Sequence, residues 1–502
     1  MYLIGLDIGT TGCKASLFDD QGALCASASR EYGVDFPHPG WAEQDGEQVW
    51  SLAQAALADC YRKLGQRAPV AALGLSVQGE AVAPVDRSGK PLRPFILGMD
   101  TRTAAQNQWL RQHFGAEALF QRTGMPVHTI NTLPKLVWLK HNQPDIWSAA
   151  ARFLLYEDYL ITCLCGAPAI SRCLASRTQL YDLHQNSWSG EILAALELDP
   201  GRLAPVVPSG TVVGELRSDL AAELGLPNRP LVVTGGHDQA CGALGVGLTR
   251  PGLSMVSTGT AEVVEVAIGE PQLSAELEAG NISVYAHVVT GLYLAMTLNH
   301  SGGLILRWFR DAFCQDELAQ AEQTGADPYD LIFREAGDGP SPVLLLPHFS
   351  GSGTPHFDTR SKGALLGLTF ATTRSDVARA ILEGLCFELR YNLEVLQSGG
   401  VAIQELRAIG GGARSPLWLR LKADITGLPV ARPQVTEAAA WGAAALAGQG
   451  AGVFASAADA VQERLQFTQR ILPQPTQQAL YQPRYELYRR LYPTLADLLH
   501  QM

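Results

Sequence analysis

Residues 6–14 read "LDIGTTGCK", set between "MYLIG" and "ASLFDDQG", and this short stretch decides the fold. The apolar run Tyr2 to Leu6 predicts a buried strand, Ala15 to Phe18 a second one, and "DDQG" the next turn. Together they make a β-hairpin with a Gly-Thr-Thr-Gly tip. Backbone N–H groups and hydroxyls at such a tip can hold phosphate oxygens, and Gly9 and Gly12 let the backbone come close. Asp7, on the strand before the tip, can hold a metal ion through water. The stretch is not a Walker A loop, which needs Gly-x-x-x-x-Gly-Lys-Ser/Thr. Taken alone it is equally an ordinary hairpin, so its meaning depends on the rest of the chain.

A second stretch repeats the design. "LSMVSTGTAEVVEVAI", residues 253–268, gives a strand (Leu253 to Val256), the turn Ser257-Thr258-Gly259-Thr260, and a strand from Glu262 to Ile268. Two Gly-Thr hairpins about 250 residues apart predict two similar domains facing each other, with a boundary in "VGLTRPG", where Pro and Gly interrupt the pattern. The domains run 1–247 and 248–502. Helical patterns alternate with strands: Glu47 to Leu64, Arg102 to Phe114, Ser375 to Leu396 with Ser375 as N-cap, a helix opened by Ser415-Pro416 and ended by Gly427, and Tyr481 to Leu499. The alternation argues for α/β layers, with helices outside sheets.

Composition bounds the function. The chain has 502 residues, 47% hydrophobic and 17% charged, as in a globular protein with sizeable cores. A net charge of −11 argues against a nucleic-acid or anionic-membrane surface. No stretch of about 18 residues is free of charge and turn residues, so no membrane span is expected. The nine cysteines, without a second pair beside Cys163-x-Cys165, read as buried thiols in a reducing compartment. A start without a charged leader adds a cytoplasmic enzyme as the expectation.

Two more glycine turns carry chemistry. In "RAIGGGARSPLW" a strand ends at Ile409, Gly410-Gly411-Gly412 follow, and a helix starts at Ser415, so a flat ring or phosphate can approach a helix N-terminus. In "VVTGGHDQACGALGVG", Asp238 stands at a glycine turn between the two domains. It can take a proton from a substrate hydroxyl, or simply N-cap the small-residue helix Ala240 to Gly247. Neither turn has the dinucleotide G-x-G-x-x-G after the first strand, which argues against an NAD-dependent dehydrogenase.

In these motifs the chain resembles the FGGY family of carbohydrate kinases, in the superfamily of sugar kinases, heat-shock ATPases and actin. "DIGTTGCK" is similar to the family's first phosphate hairpin, "STGT" to the second and "GGGARSPLW" to the adenosine turn. "GALLGLTFATTRSDVARAILE" (Gly363 to Glu383) is similar to its C-terminal signature, and "INTLPKLVWLK" to its N-terminal one, except at Ile130. "PGWAEQD" and "LASRTQLYDL" also look typical. The resemblance implies two actin-like (ribonuclease H-like) ATPase domains with a cleft between them, ATP and Mg²⁺ as cofactors, and a sugar as substrate. It implies Asp238 as general base, and Asp7 orienting hydrated Mg²⁺. Gly9, Thr10, Thr11, Gly12 and Lys14 would hold phosphates on one side, Gly259 and Thr260 on the other. Gly303, Arg307, Gly411 and Gly412 would line the nucleotide site. Gln78, Glu80, Asp100, Arg102, Asp238 and Gln239 would hold the sugar. Family members are often dimers or tetramers, so a homodimer is one assembly open to the chain.

The sugar is less defined. Gly79 stands where glycerol kinases carry an Arg and xylulokinases a Met, Gly98 where many relatives have Trp, and Ile130 where glycerol kinases have an aromatic residue. These replacements imply a wider, less charged pocket for a ketose or polyol longer than glycerol. The overall pattern looks most similar to xylulokinases, with D-xylulose the first substrate implied. Gluconate, fuculose, another polyol or glycerol stay open, as does a non-catalytic nucleotide-binding regulator of the same superfamily, which would be free to lose Asp238.

Overall fold

The computed structural model describes residues 1–334, 337 and 339–502. The opening hairpin forms as read: strand Tyr2–Ile8 pairs antiparallel with Gly12–Asp19, placing Asp7 opposite Lys14 and Ile8 opposite Cys13. It belongs to a six-stranded sheet in the order Val212–Glu215, Leu231–His237, Val70–Val77, Tyr2–Ile8, Gly12–Asp19, Leu24–Glu31. The second hairpin, Leu253–Thr258 with Glu262–Ile268, lies in a seven-stranded sheet in the order Ser283–Ala286, Tyr293–Asn299, Glu262–Ile268, Leu253–Thr258, Glu405–Gly410, Val430–Pro433, Phe467–Ile471. In both sheets a run of three antiparallel strands is extended by parallel strands beside its first member, and in the second sheet Ser283–Ala286 adds a fourth antiparallel strand at the other edge. The sequence echo is therefore a repeat of topology as well as of turns.

The first sheet is covered on one side by helix Gly46–Lys63, capped by Asp45, whose carboxylate accepts from the N–H groups of Glu47 and Gln48. Its other face takes Asp238–Gly245 and, from the distant C-terminal part of the chain, Ala438–Gly450. That last helix reads AAAWGAAALAGQG, apolar all round, as a fully buried helix must be. It lies backbone to backbone on the sheet. A methyl group at Gly5 would overlap the carbonyl of Ala440, one at Gly74 the carbonyl of Ala443, and one at Gly442 the carbonyl of Cys241. The second sheet is covered by the long helix Arg374–Ser398 and by Pro416–Thr426.

Several boundaries move. The helix read as Arg102 to Phe114 is Ala104–His113, and the last one starts earlier, as Pro475–Leu499. Ser375 is not the N-cap of its helix. Thr373 is, in a capping box with Asp376: the Thr373 hydroxyl accepts from the Asp376 N–H while the carboxylate of Asp376 accepts from the Thr373 N–H. Ser415 and Gly427 cap Pro416–Thr426 as expected. The cysteines are free; Cys25 is exposed and Cys163 and Cys165 half-buried, so the expectation of buried thiols fails for these three.

Candidate active site

A cleft of about 260 Å³ is lined by Asp7 of the first hairpin and Ser257 of the second, together with Asp238, Gln239, Gly410 and Glu437. The first tip is closed by the Gly9 N–H to the Gly12 carbonyl at 2.9 Å, leaving Thr11 exposed and Thr10 half-buried. Gln78 braces this tip from below. Its amide donates to Gln44 at 2.9 Å and toward the Gly9 carbonyl at 3.4 Å, while its oxygen accepts from Thr10 Oγ1 at 3.3 Å. Gln78 was expected to touch the sugar; here its amide belongs to the phosphate hairpin.

The second tip is held by the start of helix Gly303–Phe313, where the Gly303 N–H reaches the Gly259 carbonyl at 2.8 Å and the Gly302 N–H the Thr260 carbonyl at 2.8 Å. Gly259 and Thr260 are exposed, as is Arg307 one turn along. In the third turn Gly410 has φ +80° and its missing side chain would collide with the Thr258 carbonyl, so only glycine fits. Gly411 is exposed, but Gly412 is buried: a Cβ there would sit 2.8 Å from the Thr258 side chain. Gly412 thus leaves no room for a side chain beside Thr258.

Lys14, expected on phosphate, reaches Glu437 at 2.9 Å, at the N-terminus of the helix Ala438–Gly450. Both side chains are partly exposed (38% and 24%), and such pairs contribute at most about 1 kcal/mol, so a phosphate oxygen can displace Glu437. Asp7 accepts from the Ser76 hydroxyl at 2.6 Å. Burial and the nearby Glu437 push its carboxyl up to about 6 despite that bond and Lys14. An acid with one neutral donor, facing a cleft, suits a hydrated cation, so the residues present fit Mg²⁺. Asp238 is the first residue of helix Asp238–Gly245; His237 holds the N-cap position without a side-chain bond, so the N-cap alternative for Asp238 is not realised. Burial, then repulsion from Asp7, pushes the Asp238 carboxyl up to about 7, against the Gln239 N–H donating to it at 2.6 Å.

On the sugar side Glu80 has a left-handed backbone, φ +57°, uncommon for a non-glycine residue and a mark of strained functional positions. Its carbonyl accepts from the Thr132 hydroxyl and from Lys135 Nζ, each at 3.1 Å, and Lys135 also holds the Ile130 carbonyl at 2.6 Å. Lys135 is fully buried, which brings its ammonium down to about 7. One lysine thus ties together the two segments flanking the pocket. The Glu80 carboxylate is paired with Arg177 (Nε to Oε1 2.6 Å). Arg177 is buried, and its Nη1 has no hydrogen-bond partner. The space at Gly79 is not open either: a Cβ there would meet the His237 ring at 2.9 Å and Arg177 Nε at 3.9 Å. The expected wide, weakly charged pocket is corrected accordingly, since His237 fills part of it and Arg177 brings a cation. At Gly98 the methyl-sized space does exist, bounded by Ile130 at 3.5 Å and Glu80 Oε2 at 3.7 Å.

Asp100 and Arg102, expected as sugar contacts, are shielded. Asp100 accepts from Ala42 N at 2.7 Å and from the Arg102 guanidinium. Arg102 also pairs with Glu43 and stacks 3.6 Å over Trp41. Through Trp41 and Glu43, this network ties the "PGWAEQD" segment to Arg93, Arg102 and Trp138. Arg177, the buried partner of Glu80, is the side chain that no motif singles out: in "LASRTQLYDL" it stands among Ser176, Thr178 and Gln179, and only the fold brings it to Glu80.

Two α/β domains that each carry a glycine hairpin beside a shared cleft are the architecture of the actin-like ATPase fold. Over the whole chain the structure is similar to that of xylulose kinase from Rhodospirillum rubrum (TM-score 0.89, 29% identity, 100% of each chain). In sequence it is similar to xylulose kinase of Escherichia coli (32% identical over 99% of this chain and 100% of the relative). It is also similar to glycerol kinase of Bordetella parapertussis (32%, 91% and 90%). Residues 2–245 match the N-terminal domain, and 254–451 the C-terminal domain, of the FGGY family of carbohydrate kinases. The chain belongs to that family, and is an ATP-dependent sugar kinase. Among the described residues no helix is long and apolar enough to cross a membrane.

Proposed function

We propose that the enzyme phosphorylates a terminal hydroxyl of a five- or six-carbon ketose, D-xylulose first among them, with Asp238 as general base. The observation that carries this reading is the meeting of Asp238 with Asp7, the last acid before the first hairpin's tip, in one cleft. Phosphoryl transfer needs in-line positioning and charge neutralisation more than covalent chemistry. The hairpin amides and the Thr10, Thr11, Gly259 and Thr260 segments cradle the phosphates of ATP. Asp7 would hold hydrated Mg²⁺, which when bound would supply neutralisation of phosphate charge. Asp238 accepts the proton of the attacking hydroxyl as the oxygen closes on the γ-phosphorus.

For the sugar, Glu80 Oε2 accepts a hydroxyl, Arg177 Nη1 donates to a sugar oxygen, and Gln239 lines the approach. Groups left unpaired inside the pocket reject a substrate too short to reach them. The full-length xylulose kinase relatives support a ketose, while a glycerol kinase of equal identity makes glycerol the competitor to test. The test is ADP release, coupled to a detector, across D-xylulose, D-ribulose, ketohexoses, gluconate, polyols and glycerol. The highest kcat/KM is expected for a ketose; a best value for glycerol overturns the pocket reading.

A further inference from the structure

Behind Asp238 a file of polar side chains leads into the core. His237 Nε2 lies 3.2 Å from Asp238 Oδ1, and His237 Nδ1 lies 3.3 Å from the Tyr285 hydroxyl. That hydroxyl lies 2.7 Å from Glu265 Oε1. Tyr285 and Glu265 are fully buried and His237 almost so, and Glu265 Oε2 has no hydrogen-bond partner. Phosphoryl transfer to a sugar does not need a phenol, an imidazole and a second carboxyl in series, and an apolar core would be cheaper to build. The file also joins the two sheets, since His237 ends a strand of the first and the other two lie on strands of the second. Its inner end is fixed: the Val284 N–H donates to the Gly124 carbonyl at 2.7 Å and the Ala286 N–H to Ser176 Oγ at 3.0 Å.

We propose that Glu265, Tyr285 and His237 are positioning residues that share one proton with Asp238 and hold it at the Glu265 end, so that Asp238 meets the sugar as a carboxylate. The proposal rests on Asp238 being the base. In the resting arrangement the Glu265 carboxyl donates to the Tyr285 oxygen, the Tyr285 hydroxyl donates to His237 Nδ1, and His237 Nε2–H donates to Asp238 Oδ1. Every donor has one acceptor, and the outermost bond steadies the anion that does the chemistry. In the reversed arrangement the Glu265 O–H, Tyr285 O–H and His237 Nε2–H bonds have broken. Bonds from hydrogen to the Tyr285 oxygen, His237 Nδ1 and Asp238 have formed, and the negative charge has moved to Glu265.

The first arrangement is favoured because Glu265 is sealed in the core while Asp238 is a quarter exposed to the cleft. The unpartnered Oε2 costs less on a neutral carboxyl than on a carboxylate. Burial, tempered by the Tyr285 bond and Arg177, raises Glu265 to about 8, above Asp238, and holds His237 neutral. The charged groups facing the file are Asp7 and Glu80 at the Asp238 end, Glu80 at the Glu265 end, and Arg177 beside all of it, 4.6 Å over the Tyr285 ring.

The test uses the full-length enzyme with Mg-ATP and its best sugar. Tyr285→Phe removes one hydroxyl and keeps the ring against Arg177. It is expected to lower kcat about tenfold with both KM values within about twofold of wild type. In ¹⁵N spectra, assigned with His237→Asn, wild-type His237 is expected as the Nε2–H tautomer near pH 7, and Tyr285→Phe is expected to mix the tautomers. Glu265→Gln, which still carries an N–H donor toward Tyr285, is expected to retain the wild-type tautomer and most of kcat, where Glu265→Ala does not. A wild-type Nδ1–H tautomer, or a Tyr285→Phe enzyme with unchanged tautomer, whatever its stability, overturns the relay alone. An Asp238→Asn enzyme that keeps turning over removes the base reading and the relay with it.

Discussion

At the scale of single residues, Asp7 and Asp238 set activity against stability. Both carboxyls are raised above an ordinary aspartate, to about 6 and about 7, so between roughly pH 4 and 7 the folded protein binds more protons than the unfolded chain. Stability of the ligand-free enzyme therefore falls as pH rises through that window. Asp238→Asn cannot ionise, so its melting temperature should exceed wild type by a few degrees at pH 8 and match it near pH 4, as read by calorimetry at both values. The same variant should lose at least the roughly 10²–10⁴-fold in turnover typical of removing a general base, while ATP still binds. More than a tenth of wild-type turnover would contradict the assignment. Glu80 calls for a gentler substitution, because Glu80→Ala would strand the buried Arg177 charge at a cost of about 3–5 kcal/mol. Glu80→Gln should raise KM for the sugar and leave KM for ATP in place; equal changes in both would count against Glu80 as a sugar ligand.

At the scale of elements, the local signals were legible and the long-range ones were not. The strand Glu262–Ile268 was read to the residue, and Ser415 with Pro416 marked a helix start, because alternation and capping chemistry are written in neighbouring residues. The cap of Arg374–Ser398 is equally local: Thr373 and Asp376 have capping-box spacing, two residues ahead of the serine at 375 that also has N-cap chemistry. Thr373→Ala should destabilise the protein by about 1 kcal/mol in a denaturant titration. In the site, the hairpins, Asp7 and Asp238 could be found from motifs. The Arg177–Glu80 pair spans 97 positions and the His237–Tyr285 contact 48, and no local periodicity encodes either. Gly79 shows the same limit. An absent side chain reads as empty space in a sequence, whereas the packed structure fills it with an imidazole.

At the scale of the whole molecule, the cleft draws Asp7 and Asp238 from elements of the first sheet and Ser257 and Gly410 from the second, and the Lys14–Glu437 pair near it is weak enough to yield when phosphate arrives. Scattering curves with and without sugar and a non-hydrolysable ATP analogue should show compaction of the bound form. Superimposable curves at saturation would count against closure while leaving the fold intact.

Helix Ala438–Gly450 has a consequence for how the protein is made. The glycine-floored face of the first sheet is completed by a segment that leaves the ribosome some 200 residues after the strand Leu231–His237. Until then the nascent chain carries a finished hairpin motif with an uncovered apolar surface, the kind of intermediate that chaperones hold and that self-associates at high expression. A fragment ending near residue 250 should therefore collect in inclusion bodies, and supplying residues 430–502 as a separate polypeptide should bring part of it into solution.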